Sequence, residues 1–139
     1  VRIGSAGKSF SLTGWKVGYI TAAADLMKAI AKTHQFMTFT TPPNLQWGAA
    51  TGLRLGDDYF STLACDMQRK RDRLAGALSE IGFDVLPAHG TYFVTTDFRP
   101  LGFNGTDEDF CRHITVEAGV TAVPVSAFYD RPSDAPRHF

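Results

Sequence analysis

The sequence predicts an α/β fold, on three observations. Residues 15–20, WKVGYI, alternate Trp15, Val17 and Tyr19 with Lys16, Gly18 and Ile20, which is the period of a strand. Between Asp57 and Gly82, by contrast, apolar residues such as Phe60, Leu63, Met67, Leu74 and Leu78 recur at the spacing of one helix face. Beyond residue 82 the strand-like runs FDVLP, TYFVTTDF and GVTAVPV are interleaved with an amphipathic segment at about 106–117, as in a small α/β unit.

Taken in order, VRIG reads as the end of a short strand, followed by the turn-rich SAGKSFSLTG and then the strand WKVGYI. A helix is expected from about Ala23 to Phe36, where Asp25 complements the dipole at the start and Leu26, Ile30 and His34 recur every four residues. Pro42 and Pro43 punctuate. A second helix is expected from about Asn44 to Leu55, with Gly56 as its stop. Asp57 or Asp58 caps the long third helix, which ends at Gly82. Its basic run QRKRDR is interrupted by Asp66 and Asp72 at either side, so a solvated helix face is the expectation rather than a nucleic-acid surface.

The chain has 139 residues, enough for one ordinary domain with its own core. Its 14 basic and 14 acidic residues balance, so neither a nucleic-acid groove nor an anionic membrane surface is indicated. The balance is uneven along the chain: residues 1–56 carry six Lys and Arg against one acid, and residues 57–139 carry eight against thirteen. The first part is therefore suited to receive an anion. No apolar run approaches the ~18 residues that span a bilayer. Cys65 and Cys111 have no CxxC spacing, and none of the histidines at 34, 89, 113 and 138 forms a pair with ligand spacing, so no metal is expected. Two reduced thiols fit a cytoplasmic protein. The chain begins without methionine inside an apolar run, which leads us to expect a piece of a longer polypeptide.

The stretch GSAGKS, residues 4–9, raises the chemical question. A nucleotide-binding P-loop, GxxxxGK[ST], needs a glycine where Arg2 stands and a helix beginning directly after the lysine, whereas turn and strand formers follow Lys8. The other possibility is an amine that reacts with a carbonyl. A free lysine, with a pKa near ~10.4, becomes nucleophilic when desolvated or placed beside another cation. Lys16 lies eight residues on, across a turn that can return it towards Lys8, and the hydroxyl of Ser5 lies three residues before. Gly4, Ala6 and Gly7 allow close backbone approach. A reactive amine beside an anion clamp suits an aldehyde that carries a phosphate.

SAGKSFSLTGWKVGY, residues 5–19, resembles the lysine segment of the fold-type I pyridoxal phosphate enzymes, the class I/II aminotransferases. Three further segments are similar to the kynurenine/glutamine/methionine branch: THQFMTF, GTYF and AVPVSAFY. The resemblance implies that Lys8 condenses with the aldehyde of pyridoxal 5'-phosphate and later moves a proton between the substrate α-carbon and the cofactor. It implies that Ser5 and Lys16 hold the cofactor phosphate, and that Phe39 reaches the substrate pocket of a neighbouring subunit in a homodimer. Trp15, Tyr92 and Tyr129 are left as packing or pocket wall.

The same resemblance implies a fold-type I transferase fold (aspartate aminotransferase-like) that is incomplete here: residues 1–63 as the end of a large cofactor domain and 64–139 as most of a small C-terminal domain. The groups that hold the cofactor ring are expected before Val1. The arginine that grips a substrate carboxylate is expected beyond Phe139, and Arg137 is the weaker candidate. The implied reaction transfers an amino group from an aromatic, sulfur-containing or glutamine-like amino acid to a 2-oxo acid. A carbon–sulfur β-lyase on the same cofactor and a P-loop-like nucleotide module are the alternatives.

Overall fold

The computed structural model describes residues 1–131, 134–136, 138 and 139. Two compact units divide the chain, Val1–Ala64 and Cys65–Phe139. Among the described residues no helix is long and apolar enough to cross a membrane.

In the first unit, β1 (Arg2–Ser5) and β2 (Gly18–Thr21) form an antiparallel pair in which Gly4 faces Tyr19 and Ser5 faces Gly18. Between them run a four-residue helix, α1 (Ala6–Ser9), and a 3-10 turn, Thr13–Trp15. The strand expected from Trp15 starts only at Gly18, because Lys16 adopts a left-handed backbone, φ 56°, that interrupts the extended run. The ring of Tyr19 lies over Gly4, where a Cβ would come within 2.3 Å of it.

Helix α2 spans Ala24–Met37 and α3 spans Pro43–Gly52. Pro43 takes the first turn of α3, where its missing N–H costs nothing. Helix α3 ends before the expected Leu55: Arg54 and Leu55 close tight turns onto Thr51 and Gly52 instead. One face of α3 is small by design of spacing: Gly48 admits the Trp15 ring and Gly52 the Phe10 ring, each at a distance that a Cβ would block. Ala49 between them joins Ala6 and Val17 in the core, with Phe10 and Leu45 packed against it. Trp15 is thus a packing residue on α3.

Helix α4 (Asp57–Glu80) runs across the division between the units, and Asp57 and Asp58 sit inside its first turn, not at the cap, where their charge still favours the helix dipole. Its expected apolar stripe is not buried among the described residues; Leu74 stays half exposed and Ile81 more so.

The second unit closes around phenylalanines. Phe98 and Phe110 stack with centroids 4.4 Å apart, and Phe83 and Phe103 meet Phe110 edge-on at 5.9 and 5.2 Å. Each such contact adds about 0.5–1.5 kcal/mol beyond the area it buries. Strand β3 is Asp84–Val85 and β4 is Thr96–Asp97, an antiparallel pair far shorter than FDVLP and TYFVTTDF lead one to expect. Helix α5 (Asp107–Ala118) starts at a capping box in which Thr106 and Asp109 bond reciprocally, and ends at Gly119 in a left-handed conformation. GVTAVPV forms no strand: Val120 and Val123 are exposed, Val120 N–H turns back to the Ile114 carbonyl at 3.2 Å, and Val125 N–H reaches the Phe139 carbonyl at 3.4 Å before a 3-10 turn at Val125–Phe128.

Candidate cofactor and substrate site

The hairpin brings Ser5, Lys8 and Lys16 to one turn. Ser5 ends β1 in extended conformation and caps α1: its Oγ accepts from Gly7 N–H at 3.2 Å, which leaves the hydroxyl proton for another acceptor. The next residue, Ala6, donates its N–H to the Val17 carbonyl at 3.0 Å, so Lys16 and Ser5 flank the same cross-strand bond. Lys8 follows one short step later in α1. Ser5, Lys8 and Lys16 are exposed residues, whereas Ala6, Gly7 and Val17 of the same turn are buried.

The turn is fastened from below. Gly7 carbonyl accepts Leu12 N–H at 2.8 Å and the Thr13 hydroxyl at 3.3 Å. Ser9 carbonyl accepts the Tyr59 phenol at 2.6 Å from α4, and Phe10 packs on Tyr59 and Phe60. Tyr59 went unnoticed in the sequence, because fifty positions separate it from Ser9 and no spacing rule links them.

An aldehyde bearing a phosphate fits this donor set. Two ammonium groups and a hydroxyl stand on one turn, on residues that are exposed beside buried Ala6 and Gly7. The geometry does not suit a P-loop. Lys8 lies within a helix of only four residues, and β1 pairs antiparallel with β2 instead of feeding a parallel βαβ unit.

Phe39 stands apart from these residues in the chain, past the end of α2. Its ring is 75% exposed, so it is not a core residue of the described chain, and its φ of 62° is left-handed. That backbone costs a non-glycine residue about 1–2 kcal/mol. Tyr92 and Tyr129 lie in the second unit, both partly exposed. Arg137 lies outside the described residues.

Asp97 and Arg99 form a closely held pair in the second unit. Asp97, nearly buried, accepts from the Arg99 backbone N–H at 2.9 Å and from its guanidinium at 2.5–3.1 Å. The Arg99 hydrogen bonds hold its carboxyl below the ordinary range despite burial. Cys65 and Cys111 are free thiols; burial, aided by the Asp107 charge, pushes the Cys111 thiol up.

The chain belongs to the aminotransferase class I and II family, whose model matches residues 1–135. It is 38% identical to a kynurenine–oxoglutarate transaminase of Dictyostelium discoideum, over all of this chain and 36% of that protein. It is also 38% identical to a methionine aminotransferase of Escherichia coli K12, over 95% of this chain and 34% of that one. The fold is that of fold-type I aminotransferases. It superposes on an N-succinyldiaminopimelate aminotransferase of Mycobacterium tuberculosis with a TM-score of 0.86 at 37% identity, covering 98% of this chain and 35% of the other. The chain thus spans about a third of the length of the relatives it matches.

Proposed function

We propose that the chain is a C-terminal portion of a pyridoxal phosphate-dependent aminotransferase that moves an amino group from an aromatic, sulfur-containing or glutamine-like amino acid to a 2-oxo acid. In this reading residues 1–63 close the large cofactor domain and 64–139 make most of the small one. The observation that carries it is the clustering of Lys8, Ser5 and Lys16 on one turn of a chain that matches the family along nearly its whole length.

When bound, pyridoxal phosphate supplies an electrophilic aldehyde and an electron-withdrawing ring that makes an α-proton of an amino acid removable. The chain supplies position. Lys16 ammonium and the Ser5 hydroxyl hold the phosphate by charge-assisted hydrogen bonds. Lys8 Nζ would hold the cofactor at its aldehyde carbon and, as general base, would carry the proton at the substrate α-carbon. Phe39 forms a wall of the substrate pocket in the neighbouring subunit. The exposure of Phe36, Met37, Phe39 and Trp47 leaves apolar side chains that the neighbouring subunit of a homodimer would cover. The two free thiols support a reducing, cytoplasmic setting.

The test is borohydride reduction of the full-length protein with pyridoxal phosphate, followed by peptide mapping. The reduced adduct is expected on Lys8. An adduct on Lys16, or none, overturns the assignment.

A further inference from the structure

The left-handed backbone at Phe39 is disfavoured for an aromatic residue, and the exposed ring gains no burial in the described chain to offset it. The contacts that impose it converge on one residue. The His34 carbonyl accepts the N–H of Thr38 at 3.0 Å and the N–H of Phe39 at 3.1 Å, which closes the last turn of α2 and reverses the chain. In addition, the imidazole Nδ1 of His34 is hydrogen-bonded to the Thr38 hydroxyl. Any residue supplies the carbonyl. The ring contact is particular to histidine at 34 and a hydroxyl at 38, and it fixes the side chain of the residue directly before the strained one.

We infer that His34 is a positioning residue for Phe39: by gripping Thr38 through its ring it fixes the direction in which the Phe39 ring leaves α2, and so the fit of an apolar substrate side chain. The inference rests on the reading of Phe39 as pocket wall. The Thr38 hydroxyl accepts from an Nδ1–H or donates to a bare Nδ1, so the grip needs no particular tautomer.

The experiment uses the full-length enzyme loaded with pyridoxal phosphate, with L-methionine as amino donor and a 2-oxo acid as acceptor. His34→Ala and Thr38→Val are each expected to raise KM for methionine by about 3–10-fold, the worth of one neutral hydrogen bond, with kcat within about twofold. The double variant should match Thr38→Val, which already loses the ring contact together with the 3.4 Å bond from the Thr38 hydroxyl to the His34 carbonyl. His34→Asn, which returns a polar atom near the Nδ1 position, should recover most of the loss. Phe39→Ala is the control. If it raises KM while His34→Ala and Thr38→Val do not, the positioning role is overturned. A fall in melting temperature with unchanged KM in both variants overturns it equally. If Phe39→Ala itself leaves KM unchanged, the failure lies in the pocket-wall reading, and the inference falls with it.

Discussion

The phenol of Tyr59, in the first turn of α4, donates a 2.6 Å hydrogen bond to the carbonyl of Ser9, the residue that follows Lys8. The bond is partly buried and ties the turn bearing Lys8 to α4. Tyr59→Phe keeps the ring on Phe10 but removes the donor. We expect a loss of about 1 kcal/mol in urea unfolding, together with faster amide exchange across Ala6–Ser9. Unchanged exchange there would mean that the turn is held without Tyr59.

In the roles proposed for Lys8 and Lys16, the two lysines should fail differently. Lys8→Ala removes the proton carrier, and transamination should fall by roughly 10²–10⁴-fold or more. Lys16→Ala removes one charged contact to the phosphate and should weaken cofactor retention by about 10–100-fold, with turnover largely restored at saturating cofactor. Equilibrium dialysis and steady-state rates separate the two effects.

Asp97 and Arg99 predict an acid limb of stability. The folded carboxyl titrates below its ordinary value of 3.8, mainly through its side-chain bonds to Arg99. Between those two values the unfolded chain binds the extra proton, so the contribution is present above the ordinary value and fades as pH falls through the folded one. Arg99→Ala lets the carboxyl rise, and the midpoint of acid unfolding should move to higher pH. Circular dichroism against pH reads the shift.

The start of α5 offers two separable losses. Asp107 is fully buried and its Oδ2 accepts the buried Ser126 N–H at 2.8 Å, anchoring the 3-10 turn Val125–Phe128. Asp107→Ala strands that donor and should cost about 1–3 kcal/mol. Thr106→Ala opens the capping box and should cost about 1 kcal/mol. Thermal unfolding of both variants should rank them in that order.

Phe39→Gly sets backbone against function. Relief of the left-handed strain, about 1–2 kcal/mol, is partly offset by the entropy of glycine, about 0.5–1 kcal/mol. Stability should therefore hold or rise slightly while kcat/KM for an apolar amino acid falls. A variant that loses both would identify Phe39 as an ordinary structural residue.

The helices were legible because their signals are local: the spacing of Leu26, Ile30 and His34 in α2, the acids at 57 and 58 at the start of α4, and the amphipathic run from about 106 in α5 each act within a few turns. The lysine turn was legible for a similar reason, since Ser5, Lys8 and Lys16 lie within twelve consecutive positions. Strands were the failure. Val120 and Val123 have strand-forming side chains, but a strand exists only where another backbone pairs with it, and none of the described residues does so along that run. Lys16 defeated the alternation of WKVGYI because nothing in a lysine announces a left-handed backbone. Buried Asp107 was equally invisible: its partner at Ser126 is nineteen positions away, and acids at a helix start are ordinarily solvated.

Gly4 and Tyr19 carry a practical lesson for anyone diversifying this turn. The far end of the Tyr19 side chain fills the space that a larger residue at 4 requires, so in a library randomised at that position alone every larger residue must push the ring aside. Substitutions become easier when 19 is varied in the same clones, so the two codons are best treated as one unit of selection on either side of Lys8.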